Sequence, residues 1–168
     1  MCSSDLLHFL TSELQRLKPA RDAGQRAVLV ACHHPPVSVD AKHGGTTGLA
    51  DDIDTASRTA GLWPDAVLSG HAHLYQRYTR AVDNRQIPYV VAGSGGFAAT
   101  APKGTLQTPL VVGEYTLVAP PLAEFGYLLI TVDLSGQPGK LTITFHARDR
   151  SATHDSVSVD LSTGRLLA

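Results

Sequence analysis

Two short apolar runs, Ala27-Val28-Leu29-Val30-Ala31-Cys32 and Ala66-Val67-Leu68-Ser69, both stop abruptly at histidine, the first in His33-His34-Pro35-Pro36 and the second in Gly70-His71-Ala72-His73. Neither run alternates apolar with polar residues. Short unbroken runs of this kind predict strands covered on both faces, as in a parallel or mixed sheet held between layers. Ligand sites of such sheets lie outside the carboxyl ends of the strands, where both runs present their histidines. Each end is also fixed by a restricted backbone. Gly70 permits a tight turn, and Pro35 and Pro36 keep the chain after His33 extended. His71 and His73 are two residues apart and project the same way from an extended backbone. Imidazole is the commonest ligand for borderline metals, so His33, His71 and His73 are predicted metal ligands.

The remaining sequence reads as an α/β chain. Ser3 or Ser4 can cap a first helix, Asp5 suits its first turn, and Leu6, Leu7, Leu10, Leu14 and Leu17 form an apolar stripe at helical spacing; Pro19 is predicted to end it. A loop rich in Pro and Gly follows over 33–48, then a short helix over 50–60. Tyr75 to Ala81 and Ile87 to Ala92 read as paired strands joined by the turn-forming Asp83-Asn84. Residues 97–124 mix Pro, Gly, Ala and Thr with weak periodicity, which reads as a long excursion or insertion. Three strands follow, at 127–132, 141–146 and 156–161. The last two alternate apolar and polar residues, as half-exposed antiparallel strands do. Together these elements predict a partial α/β sandwich, with a mixed sheet and antiparallel strands at the carboxyl end.

The 168 residues amount to a single domain, with no internal repeat and no second unit. With 17% charged residues and a net charge of −1 the chain has no basic field to attract nucleic acid or an anionic membrane. No apolar run reaches the length of a membrane span, and no basic-then-apolar leader opens the sequence. Cys2 and Cys32 are too few for a disulfide framework, and Cys32, inside a strand, reads as a buried free thiol.

Three segments carry a family resemblance: Val28 to Pro36 around His-His-Pro-Pro, Val67 to Arg77 around Gly-His-Ala-His, and Tyr89-Val90-Val91-Ala92-Gly93-Ser94-Gly95-Gly96. They resemble the carboxyl-terminal half of a calcineurin-like metallophosphoesterase, of the purple-acid-phosphatase-like branch. The resemblance implies that His33 and His71 share one metal ion and that His73 ligates its neighbour. It further implies a domain, 1–168, that is incomplete at its amino-terminal side. The family's Asp-x-His, its Gly-Asp-x-x-Asp with the bridging carboxylate, and its Gly-Asn-His-Asp/Glu are all absent here. Zn, Fe, Mn or Ni would suit the histidines, two ions in the complete site, with a phosphoester as substrate. Such a pair of ions generates hydroxide from bound water and neutralises charge during in-line displacement.

Other polar residues have two readings each. His34 either faces a substrate phosphate or packs beside the prolines. His43, in a glycine-flanked loop, either closes over a site or is solvated. Tyr75 and Arg77 follow the metal motif as in the family, where the resemblance implies substrate contact; Arg77 would otherwise pair with a carboxylate. Gln76 stands where the family commonly has Glu. Gly93 to Gly96 lacks the Lys and following helix of a phosphate-binding loop and reads as a tight turn. His146 and His154 read as surface residues.

Three functions remain open: a fragment of a phosphoester hydrolase that is weak or inactive alone, a non-catalytic remnant, and a three-histidine mononuclear metal protein. The half-domain reading also predicts an exposed apolar surface near the first helix and strand, and self-association through an uncovered edge.

Overall fold

A computed structural model describes residues 4–148 and 155–167. Cys2, Ser3 and His154 lie outside them. The chain opens with helix α1, Ser4–Asp22. The helix runs through Pro19 instead of stopping before it. Arg21, in the last turn, explains why: its guanidinium makes two hydrogen bonds to Asp65, at 2.7 and 2.6 Å, and both side chains are buried. That pair outweighs the single intrahelical bond that a proline near a helix end removes.

Strand β1, Leu29–Cys32, leads through the His-Pro-Pro loop to helix α2, Thr47–Ala60. Helix α2 begins three residues before its predicted start. It buries Ile53, Ala56, Ser57 and Ala60, at the spacing of one helical face. It ends at Gly61 in the left-handed conformation, φ 65°, with Leu62 donating to the Ser57 carbonyl at 3.0 Å. Strands β2, Ala66–Ser69, β3, Tyr75–Val82, and β4, Arg85–Ala92, follow. Strands β3 and β4 form a hairpin whose turn residues Asp83 and Asn84 both have positive φ, 47° and 64°, as the tightest hairpin turns require.

The predicted excursion over 97–124 contains a second hairpin, β5 Leu110–Val112 and β6 Tyr115–Leu117. Its strands are three residues each, too short to show a period. Strand β6 pairs with β3, so the hairpin extends the main sheet, whose order is β1-β2-β4-β3-β6-β5. Strands β1, β2 and β4 are parallel and the rest antiparallel. The carboxyl-terminal strands are β7 Gly126–Asp133, β8 Lys140–Ala147, β9 Asp155–Asp160 and the unpredicted two-residue β10, Arg165–Leu166. They form an antiparallel sheet in the order β10-β9-β8-β7.

The side-chain period of two sorts the core into layers. In β2 and β4, Val67, Ile87, Tyr89 and Val91 face Ile53 of α2 and Trp63, while Ala66 and Val90 face Leu141, Ile143, Phe145, Val157 and Val159 of the second sheet. Helices, mixed sheet and antiparallel sheet therefore stack in that order, as the α/β sandwich expectation required. Strand β1 is less covered than its composition predicts. Val28 is buried but Ala31 is exposed, because β1 is the outermost strand of its sheet and pairs with β2 alone among the described residues. No helix among the described residues is long and apolar enough to cross a membrane.

Candidate metal centre

Strands β1 and β2 are adjacent and parallel, in the register Leu29↔Ala66 to Cys32↔Ser69. Their carboxyl ends therefore deliver His33 and Gly70 side by side, and the Gly70 amide donates to the His33 carbonyl at 3.1 Å. The chain then folds sharply at His71, where φ is 61° and the Ala72 amide reaches back to the Gly70 carbonyl at 2.7 Å. This three-residue turn with positive φ is the rarer, strained form. A non-glycine residue holds such a conformation only where its surroundings impose it, and sites of this kind concentrate at functional positions. Gly93, just after β4, is one reason the turn can form. A Cβ there would lie 2.2 Å from the Ala72 carbonyl oxygen and 3.1 Å from the Gly70 carbonyl carbon, so only glycine leaves room.

The turn sets the His71 ring among three others. His71 Nδ1 lies 3.1 Å from His33 Nε2, and the His71 ring centroid lies 4.1 Å from that of His34, 4.5 Å from His43 and 5.0 Å from His33. One nitrogen from each of His33, His34 and His71 falls within 4.8 Å of the others. Two nitrogens bound to one tetrahedral ion at about 2.0–2.1 Å would be roughly 3.3 Å apart, close to the His33–His71 separation. That spacing suits two ligands of one imidazole-preferring ion, and it is also the spacing of a hydrogen bond between the two rings; His34 completes a group of three imidazoles able to hold an ion. The group consists of imidazoles alone, and no Asp or Glu among the described residues belongs to it. Partial burial pushes the His71 pKa down, and the neighbouring His34, His43, His33 and His73 push the same way. A neutral imidazole is the form that binds metal.

His73 stands apart from the close trio. Its Nδ1 is 3.1 Å from the Ala98 carbonyl oxygen, and its ring is 6.0 Å from His43 and 5.3 Å from Phe97. With Nδ1 held by a carbonyl, Nε2 is the nitrogen left to act, which is how metal-bound histidines are commonly oriented.

The loop that carries His43 is fastened at several points. Asp40, 3% exposed, accepts from the amides of Lys42 at 2.6 Å and His43 at 2.9 Å and from the Thr100 hydroxyl. Gln76 is fully buried; its side-chain oxygen accepts from the Val39 amide at 2.8 Å and the Tyr78 hydroxyl at 2.6 Å, and its amide donates to Ser38 at 3.0 Å. The amide is thus the group that this loop requires at the position where Glu would have been expected. Sequence reasoning passed over Asp40; a buried carboxylate inside a Pro/Gly-rich loop gives no periodic signal.

Tyr75 and Arg77 both meet a carboxylate of the second sheet, the alternative that the sequence left open for Arg77. Arg77 forms a two-pronged pair with Asp155, at 2.7 and 2.9 Å, and the Tyr75 hydroxyl donates to the same carboxylate at 2.9 Å. Tyr75 is buried and stacks on Phe145, with ring centroids 4.3 Å apart. Both side chains tie the two sheets together. His146 stacks on Tyr127 at 5.2 Å, in the antiparallel sheet.

Neither a family model nor a curated protein matches the sequence. Solved structures match by shape. A purple acid phosphatase from yellow lupin seeds superposes with a TM-score of 0.65 over 92% of this chain, at 14% identity. GAP50, described as the anchor in the inner membrane complex of Plasmodium, superposes with a TM-score of 0.60 over 93% of this chain, at 13% identity. The chain spans 28% of the length of the first and 44% of the second. With a histidine cluster at the carboxyl ends of its parallel strands, the chain carries part of a purple-acid-phosphatase-like fold.

Proposed function

We propose that residues 1–168 act as the carboxyl-terminal, histidine-bearing part of a metal-dependent phosphoester hydrolase. This part holds one divalent ion through His33, His34 and His71. The observation that carries the reading is the 3.1 Å approach of His33 Nε2 to His71 Nδ1, made by two adjacent strand ends and a strained turn. His73, with Nε2 free, is the ligand left for a second ion. A bound ion would lower the pKa of a water and polarise a phosphoryl oxygen. The chain's own residues present neutral imidazoles to it. The exposed faces of His33 and His34 leave the site open to a phosphoester.

Hydrolysis by this chain alone is expected to be slow, because without a bridging carboxylate the first ion repels a second, so that the site works with one ion where the dinuclear mechanism uses two. Zinc titration by calorimetry should give one tight ion per chain, lost in His71→Ala. Turnover of an aryl phosphate should stay below about one per second, the lower end of ordinary enzyme rates. Two tight ions with fast turnover abolished by His71→Ala would replace this reading with a complete dinuclear enzyme, and no ion bound would leave a non-catalytic remnant.

A further inference from the structure

We infer that a cleft beside the histidine cluster holds the organic group of the phosphoester and selects for a flat aromatic one; this rests on the metal-dependent hydrolase reading above. The cleft has a volume of about 650 Å³, and its lining includes Gly95, Phe125, Tyr127, His146 and Arg148. Small-molecule sites span roughly 300–1,000 Å³, so the space suits a ligand of one or two rings. Its place follows from the strand ends. Strand β7 begins where β4 ends, since the Gly126 amide donates to the Ser94 carbonyl at 3.2 Å. Gly95 is two residues, at most about 7 Å, beyond Gly93, which packs against Ala72 between His71 and His73. The same short turn therefore lines the cleft and supports the His71 turn.

The chemistry of the lining follows from the period of two. In the β7–β8 ladder Tyr127 lies opposite His146, and two positions before Tyr127 the Phe125 carbonyl accepts from the Arg148 amide at 2.7 Å. Phe125 and Tyr127 on one side of the ladder and His146 and Arg148 on the other thus share one face, while Leu128 and Phe145 turn toward the core. The Tyr127 and His146 rings stack at 5.2 Å with planes 14° apart, and the Arg148 guanidinium lies 5.3 Å from the Phe125 ring centre. Four flat groups, one of them cationic, form a surface on which an aromatic ring gains stacking and cation–π contacts. An alkyl group would gain only burial there. Gly95 lines the same cleft without a side chain, and a Cβ at that position would meet nothing within 4 Å. The space is left to a ligand.

The test is calorimetry on the zinc-loaded whole chain with two phosphonates that cannot be hydrolysed, 2-naphthylphosphonate and methylphosphonate. Wild type should bind the naphthyl compound at least tenfold more tightly. Gly95→Leu fills the cleft from an unobstructed position, and Tyr127→Ala removes one ring of the stacked pair. Each should lose most of that preference while keeping its methylphosphonate affinity, its zinc affinity and its far-ultraviolet circular dichroism. A wild-type chain that binds zinc without preferring the naphthyl compound, or a full preference kept in either folded variant, would overturn the inference and leave the metal-binding reading standing. A wild-type chain that binds no zinc would overturn both.

Discussion

At the scale of single residues, the site depends on positions that touch no metal. Gly93 is the sharpest case. A methyl group there meets the Ala72 backbone, at 2.2 Å from its oxygen and 2.8 Å from its carbon, and a backbone cannot rotate aside as a side chain can. Gly93→Ala should therefore destabilise the chain by about 1–3 kcal/mol, the usual range for overpacking, and displace the His71 turn. Urea unfolding reads the first effect. Zinc affinity reads the second, with a loss on the order of tenfold expected, as for other groups that orient a ligand.

Asp40 gives a pH-dependent counterpart. Burial opposes its ionisation, but the Thr100 hydroxyl and the His43 and Lys42 amides outweigh burial, and the nearby His43 adds to them, so the carboxyl titrates below its ordinary value. A carboxylate with a depressed folded pKa contributes stability that is complete above the unfolded pKa of about 3.9 and is lost as pH falls through the lower folded value. The protection of the Lys42 and His43 amides, their exchange rate compared with the intrinsic rate at each pH, should therefore be high at neutral pH and fall below about pH 4. In Asp40→Asn protection should be lower at neutral pH and should show no such acid step. Wild-type protection that is indifferent to acid would mean that Asp40 does not fasten the loop.

At the scale of elements, one carboxylate joins four pieces of the fold. Asp65, at the entry to β2, accepts from Arg21 at the end of α1, from Arg85 at the start of β4 at 2.8 Å, and from the Val28 amide ahead of β1 at 2.8 Å. Asp65→Ala would leave the buried Arg21 guanidinium and a buried amide without their acceptor. Breaking a buried pair from one side costs about 3–5 kcal/mol, a large share of the stability of a domain this size, so a drop of that order in urea-derived stability is expected.

The same network shows what could be read in advance. The strands that place His33 and His71 were legible, because unbroken apolar runs ending in restricted residues leave few alternatives. So was the alternation in β8 and β9, where Leu141, Ile143 and Phe145 face inward while Thr142 and Thr144 face Ser158 and Ser156. The continuation of α1 past Pro19 was not, since it depends on an acceptor 44 positions away in sequence. The β5–β6 hairpin was hidden by strand length, and the Gln76, Asp40 and Asp155 contacts by their being tertiary pairings that no local pattern encodes.

At the scale of the whole molecule, the layers do not cover each other completely. Strand β7 is the open edge of the antiparallel sheet. Its Ile130 and Val132 lie opposite the buried Ile143 and Leu141, yet are 39% and 42% exposed, and Tyr127 and Leu129 on the other face are 62% and 52% exposed. At the far side of the molecule's main sheet, β1 is a second open edge, and Leu6 and Phe9 of α1 are 58% and 62% exposed. An edge strand presents unpaired amides and carbonyls, and charges normally guard it against pairing with another chain. Between Gly126 and Val132, β7 carries none. The chain on its own is therefore expected to pair with a second copy through β7. Light scattering after size exclusion should give a mass above the 17.8 kDa of one chain, rising with concentration. Leu129→Lys places a charge on the outer face of that strand without entering the core, and should shift the population toward monomer while leaving the melt unchanged. A wild-type chain that stays monomeric at all concentrations and melts in one sharp step would mean that these apolar residues are tolerated surface, and that the sandwich completes itself with the strands it has.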